Sequence, residues 1–154
     1  MNGLTVSAGF AAEIHVRHTG NIVDSVLKAS FELLEHGPKI LDAVKVWQNI
    51  QLTEAEQSDF ARAAHTLRYK PDSNTFTALE PQKLLEPRRI EDNKPDLWST
   101  FNRIQENVMR GGQRADFANR RNRTRGIRGI DEGQKLNKAL WQLADDAAKL
   151  KLGL

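Results

Sequence analysis

A strong helical pattern lies in residues 95–112, PDLWSTFNRIQENVMRGG. Its apolar residues recur at i, i+4, i+7 and i+11, which is the spacing of one face of an α-helix. These residues are Leu97, Phe101, Ile104 and Val108. Pro95 suits the first turn of a helix, because the amide hydrogen that it lacks would be unpaired there. Gly111 and Gly112 follow the apolar run and can end the helix. The pattern therefore predicts an amphipathic helix over about 95–110.

Four more segments have the same periodicity and predict further helices. Their approximate ranges are 22–36, 38–49, 53–68 and 131–150. Thr53 with Glu56 and Asp131 with Gln134 resemble capping boxes, in which two side chains bond the free amides of a helix start. The last helix is predicted to bury one stripe, with three more residues on its shoulder. The stripe is Leu136, Leu140, Leu143, Ala147 and Leu150, and the shoulder is Trp141, Ala144 and Ala148.

The N-terminal region contains short segments in which apolar and polar residues alternate, at 4–6 and 14–16. Such segments favour β-strands, so we predict a hairpin over about 3–17. The predicted class is α+β, predominantly α, with a small N-terminal β-hairpin packed on four or five amphipathic helices. With 154 residues, the chain has the size of one domain, and we predict a single domain over 1–154.

Composition argues against several kinds of protein. No apolar run approaches the roughly 18–20 residues that span a bilayer, and the N-terminus has no basic segment before an apolar core. The chain contains no cysteine and four histidines. On a strand, His15 and His18 would point to opposite faces, so we expect no metal site and no cofactor. These features favour a cytoplasmic protein that makes no contact with a membrane.

Residues suited to catalysis do not form a recognisable set. The carboxylates of Asp131 and Glu132 suit the positive start of a helix. Asp145 is predicted to lie opposite the leucine stripe, with Asp146 at its margin. The glycines at 126 and 129 match neither a P-loop nor a dinucleotide-binding motif. We therefore predict a protein that is not an enzyme and has no catalytic residues.

Charge is distributed unevenly along the chain. Residues 1–100 carry 11 Lys/Arg against 14 Asp/Glu, whereas residues 101–154 carry 12 against 6. Most of the excess lies in or next to an arginine-rich connection over about 113–129, which has no sustained apolar periodicity. Arginine is suited to binding phosphate and carboxylate groups, although such a run can also be a solvated loop. The candidate binding residues are Arg103, Arg110, Arg114, Arg120, Arg121, Arg123, Arg125 and Arg128.

Several segments resemble one known family. They are residues 96–107 with the two glycines at 111–112, residues 124–132 with 136–143, and, upstream, residues 2–4, 14–18 and 51–56. Together they resemble the phage/plasmid-like protein family, domain of unknown function 932. The resemblance implies residence on a phage, prophage or plasmid, and it implies no agreed reaction. Members usually have a long region before the Asn-Gly-Leu segment, so we expect only the later half of the family pattern here.

Two functional hypotheses follow. The first is a non-catalytic binding protein of a mobile genetic element that inhibits or modulates a host nucleoprotein defence complex, as an anti-CRISPR protein does. The alternative is a DNA-binding accessory protein in recombination or replication of the element. The expected partner is a host protein or nucleoprotein complex, and the arginine-rich segment is a candidate contact for DNA or RNA. A folded fragment whose function needs a missing half is a third interpretation, and the oligomeric state is left open.

Overall fold

The computed structural model of the protein describes residues 37–69, 79–115 and 122–154, and four α-helices lie in these ranges. We number them α1 (37–48), α2 (Glu54–Arg68), α3 (Leu97–Arg110) and α4 (Ile130–Leu152). Two short 3₁₀-helices, Pro81–Leu85 and Ile90–Asp92, lie between α2 and α3. Helices α2, α3 and α4 pack against one another. No helix in the described part of the chain is long and apolar enough to cross a membrane.

The predicted α+β class is wrong. The described residues are mainly helical and contain no strand of a β-sheet. Their β-type pairing consists of two isolated antiparallel bridges, Gln51 with Asp96 and Arg114 with Arg123. The class is therefore mainly α. The segments predicted as strands, about 3–17, and the helix predicted over about 22–36 lie outside the described residues.

The starts of α2 and α3 have side-chain caps. The capping box predicted at Thr53 is confirmed: its hydroxyl accepts from the Glu56 amide at 3.2 Å, and the Glu56 carboxylate accepts from the Thr53 amide at 2.8 Å. Helix α3 begins two residues later than predicted. Asp96 is its N-cap and accepts from the Ser99 amide at 2.8 Å, so Pro95 precedes the helix instead of lying in its first turn. A carboxylate at this position satisfies a free amide and favours the helix dipole.

The cap predicted for α4 is wrong. Gly129 precedes the helix, and it supplies no side-chain hydrogen bond. Asp131 and Glu132 lie in the first turn, where negative charge is favoured. The helix ends at Gly153, whose left-handed φ of 74° is readily adopted by glycine. Its amide and that of Leu154 bond the last carbonyls of the helix.

The buried face of α4 is rotated from the predicted stripe. Leu140 is buried as predicted, whereas Leu143 and Ala147 are half-buried and Leu150 is 83% exposed. The predicted shoulder is buried instead. The buried residues of the helix are Leu136, Asn137, Leu140, Trp141, Ala144, Asp145 and Ala148. The rotation places the indole of Trp141, the largest apolar side chain of the helix, in the core, where its burial is worth most.

An aromatic cluster joins α1, α3 and α4. Trp47 is 1% exposed, and its ring centroid lies 5.6 Å from that of Phe101 and 5.2 Å from that of Trp141. Phe101 and Trp141 are 4.9 Å apart, and Trp98 lies at the edge of the group, 6.1 Å from Trp141. Tilted and edge-on pairs at these distances stabilise by about 0.5–1.5 kcal/mol beyond burial. Trp47 is therefore a core residue.

The segment between α2 and α3 contributes to the core where it is described. Leu79 and Leu84 are buried, and Leu84 lies in the 3₁₀-helix Pro81–Leu85. The ring of His65 lies with Nε2 2.8 Å from the carbonyl oxygen of Leu79. Burial lowers the pKa of His65, and the contact with this carbonyl acts against that shift. The described part of this segment therefore lies beside α3.

Candidate nucleic-acid interface

After α3 the chain forms two segments that pair in antiparallel orientation, residues 111–115 and 122–127, which we call the paired segments. Backbone hydrogen bonds hold them together. They run from Gly112 N to Thr124 O (2.7 Å), from Thr124 N to Gln113 O (2.9 Å) and from Ala115 N to Asn122 O (2.9 Å). The arginine-rich connection predicted as irregular is therefore held in a defined conformation in its described parts. Residues 116–121, which join the two segments, lie outside the described residues.

Two glycines let the paired segments lie directly against the end of α3. Gly111 ends the helix with a φ of 68°, and a Cβ there would lie 2.6 Å from the carbonyl carbon of Arg125. A Cβ on Gly126 would lie 2.8 Å from the carbonyl oxygen of Arg110. These distances are too short for any side chain. Gly126 thus serves close backbone packing.

Arg68, at the end of α2, connects three elements. Its guanidinium donates hydrogen bonds to the carbonyl oxygens of Val108, in α3, and Arg125, in the second paired segment. The same group lies 5.0 Å from the centre of the Tyr69 ring. Burial raises the pKa of Tyr69, and the charge of Arg68 acts against that shift. Arg68 was not predicted as a functional residue, and its position in the last turn of α2 was the one available signal in the sequence.

Replacing Arg68 with methionine should lower the free energy of unfolding by about 1–3 kcal/mol, because two carbonyls would lose charged hydrogen-bond donors. Arg62→Met is the matched control, since Arg62 lies on the same helix and forms an exposed ion pair with Asp59 at 2.9 Å. Such a pair contributes about 0–1 kcal/mol. Urea denaturation of both variants measures the difference. Equal midpoints for the two variants would contradict the role of Arg68.

One predicted binding arginine is buried. Arg103 is 5% exposed and donates to the backbone oxygen of Asp92 at 3.1 Å and to Oε1 of Gln57 at 2.9 Å. Burial lowers its pKa, and the nearby carboxylates of Asp96 and Asp92 act against that shift. Arg103 therefore holds α2, α3 and the preceding turn together. We remove it from the set of candidate binding residues, because a buried guanidinium does not reach a partner.

The other described candidates lie at the surface. Arg110 is exposed and forms an ion pair with Glu106 at 3.0 Å, which offsets part of its charge. The remaining described candidates, all exposed, are Arg114, Arg123, Arg125 and Arg128. With Arg110 they form what we call the arginine face. Arg120 and Arg121 lie outside the described residues.

Arg114 and Arg123 stand directly opposite each other in the antiparallel bridge. The hydrogen bonds flank this position, which makes it a non-hydrogen-bonded pair. In such pairs the two Cα atoms are about 4.5 Å apart and the side chains project from the same face. Like charges placed directly opposite each other destabilise paired strands. The pair therefore places two guanidinium groups on one face of the paired segments.

The acidic pairs considered in the sequence analysis do not form a joint site. Asp145 is buried, contrary to prediction, and its carboxylate lies 2.9 Å from Nζ of Lys149. That hydrogen bond raises the pKa of Lys149. The exposed Asp146 accepts from the side-chain amide of Gln142 at 2.9 Å. Within the described residues, no three His, Cys, Asp or Glu side chains are grouped so as to hold a metal ion.

Comparison with known proteins matches the chain to one family. The family model described as "Domain of unknown function (DUF932)" matches residues 1–141, so the expected match to the later half alone is not supported. Two relatives from Escherichia coli (strain K12), UPF0380 protein YafZ and UPF0380 protein YfjQ, are each 37% identical over 145 residues. The match covers 94% of this chain and 52% of each relative, so the chain spans about half the length of these curated relatives. No solved structure matches significantly.

Proposed function

The chain belongs to the DUF932 family, and we propose that it is a non-catalytic accessory protein that binds nucleic acid through its arginine face. In this proposal it acts in the cytoplasm in the recombination or replication of a mobile genetic element. The contacts are made chiefly to phosphates and are independent of base sequence.

The observation that carries the proposal is the placement of Arg114 opposite Arg123 on a rigid support. The paired segments hold the backbone of both residues, and Arg68 and the glycine contacts hold the paired segments against α3. The bridge concentrates two positive charges at one place on the surface, which raises the local attraction for anions. Guanidinium groups bind phosphate in a bidentate manner, which makes phosphate the ligand best suited to this pair.

The composition of the arginine face favours contact with phosphates over stacking on bases. Stacking requires exposed aromatic rings, and each stacked base contributes about 1–3 kcal/mol. The three tryptophans, Trp47, Trp98 and Trp141, belong to the aromatic cluster between the helices. They are therefore engaged in packing the core. Binding of phosphates by the charges of the arginine face does not require these tryptophans.

The inhibitor hypothesis from the sequence would use the same arginine face, since a nucleoprotein defence complex also presents phosphates. Nuclease treatment of the partner before binding separates the two hypotheses. If binding to a nucleoprotein persists after its exposed nucleic acid is digested, the protein contacts are primary and the inhibitor hypothesis is favoured. Loss of binding after digestion favours the nucleic-acid proposal.

A gel shift at low salt with single- and double-stranded oligonucleotides tests the proposed function directly. We expect a shift that is similar for unrelated base sequences and disappears as salt is raised, because released counterions drive phosphate binding. Arg62→Gln, which removes an exposed charge on α2, is expected to leave the shift unchanged. The absence of a shift at low salt, or a shift that does not respond to salt, would contradict the proposal.

A further inference from the structure

A polar pocket opens between the paired segments, the end of α3 and the 3₁₀-helix Pro81–Leu85. Its volume is about 300 Å³. Four cationic side chains and one carboxylate lie among its lining residues: Lys83, Arg88, Arg114, Arg123 and Glu86. Lys83 and Arg88 were not predicted as binding residues, because they precede α3 in the sequence and only the fold brings them beside Arg114 and Arg123.

The base of the pocket is a buried hydrogen-bond network centred on Asn107, which is 1% exposed. Its amide nitrogen donates to the carbonyl oxygens of Leu84 at 3.0 Å and Glu86 at 2.8 Å. Its Oδ1 accepts from Nε of Arg88 at 2.7 Å, and Arg88 also donates to the carbonyl oxygen of Gly111. The guanidinium of Arg88 is thus held in a fixed orientation at the pocket.

Two of the cationic side chains in the pocket, Arg88 and Arg123, form no ion pair within the described residues. Lys83 pairs with Glu86 at 3.1 Å. Arg123 donates to the carbonyl oxygen of Gly112 at 2.8 Å, and, like Arg88, it has no carboxylate partner in the described part of the chain. A guanidinium has five N–H donors, so both arginines keep donors for a ligand. The pocket therefore combines fixed donors with an excess of positive charge.

We propose that this pocket binds one phosphate monoester, the terminal phosphate of a nucleic-acid strand. This inference rests on the proposed function for the source of the phosphate. A terminal phosphate carries a charge of about −1.5 to −2 near neutral pH, as other phosphate monoesters do, whereas each phosphate within a strand carries one negative charge. The guanidinium groups of Arg88 and Arg123, which keep donors and have no carboxylate partner in the described residues, match the more highly charged group. The pocket is also walled by three elements, which suits the end of a strand better than its continuous backbone.

Three probes distinguish the possible sources of phosphate: a single-stranded oligonucleotide with a terminal phosphate, the same oligonucleotide with a terminal hydroxyl, and inorganic phosphate. The phosphate is placed at the 5′ end in one pair and at the 3′ end in another. We expect the phosphorylated oligonucleotide to bind at least about tenfold more tightly at one of the two ends, which is the contribution of one or two charged hydrogen bonds. Fluorescence anisotropy at constant ionic strength measures this ratio.

Two variants assign the effect to the pocket. Arg123→Gln should remove the preference for the terminal phosphate, and Arg128→Gln is the matched control, because Arg128 is exposed, lies near the paired segments and does not line the pocket. The control should bind more weakly to every oligonucleotide but keep the preference. Lys83→Gln provides a second test in a different element if Arg123→Gln perturbs the circular dichroism spectrum.

The outcomes for the pocket and for the proposed function are separable. Suppose that phosphorylated and unphosphorylated oligonucleotides bind equally well at both ends and that inorganic phosphate does not compete. Phosphate binding by the pocket would then be contradicted, and the proposed function would still hold if binding depended on salt. If neither oligonucleotide binds, the proposed function fails. In that case, a rise in melting temperature with inorganic phosphate that Arg123→Gln abolishes would still support the pocket, with free phosphate as its ligand. A preference that survives in both Arg123→Gln and Lys83→Gln would also overturn the proposal.

Discussion

Replacing Leu140 with alanine should lower the free energy of unfolding by about 2–5 kcal/mol. Leu140 is 0% exposed and lies in the hydrophobic core, on the buried face of α4. Alanine would leave a cavity that the neighbouring side chains only partly fill. Because a domain of this kind is stabilised by about 5–15 kcal/mol in total, the loss should appear as a large shift of the urea midpoint.

Leu150→Ala is the matched control for Leu140→Ala. Both leucines belong to the stripe predicted from the sequence, but Leu150 is 83% exposed. Its replacement should change the free energy of unfolding by no more than about 0.5 kcal/mol. Similar costs at the two positions would mean that α4 is rotated relative to the structure described.

Replacing four arginines of the arginine face with glutamine should weaken binding of single-stranded DNA by roughly 100-fold or more at 0.1 M salt, because four phosphate contacts are lost. The positions are Arg114, Arg123, Arg125 and Arg128. The thermal midpoint should stay close to that of the parent, since the four side chains are exposed and contribute little to stability. Gel shift and thermal unfolding measure the two effects.

A control with the same change in net charge shows whether position matters. Lys45, Arg62, Lys94 and Lys135 are exposed and lie outside the arginine face. Their joint replacement by glutamine should reduce DNA binding far less than replacement of the four arginines. Equal losses would indicate a general charge effect instead of a defined surface. If the arginine variant unfolds, its arginines are structural and the assignment of the surface fails.

Helices were predictable because apolar periodicity and capping residues are local signals. The strongest period, in 95–112, corresponds to α3, and Thr53 with Glu56 forms the predicted capping box. The rotation of α4 was not predictable in this way. It depends on the packing of Trp141 against Trp47 and Phe101, which come from other helices, and periodicity within α4 carries no information about them.

The arginine face was only partly predictable for the same reason. Composition shows how many arginines a segment contains, but the partners that bury Arg103 are distant in sequence. The pairing of residues 111–115 with 122–127 leaves no apolar alternation to detect. The position of these segments against α3 involves Arg68, which lies 57 residues before the carbonyl that it bonds at Arg125. A hydrogen bond to Asn107 holds Arg88 at the pocket, and this is another contact between separate elements.

The dependence of DNA affinity on salt shows whether the arginine face binds phosphates. For single-stranded DNA, about six phosphate contacts predict a slope of log affinity against log salt near −4 for the parent protein. The variant that lacks Arg114, Arg123, Arg125 and Arg128 should have a slope that is smaller in magnitude by about 3, since each contact contributes roughly 0.7. A parent slope near zero, or the same slope in parent and variant, would contradict binding of phosphates by the arginine face.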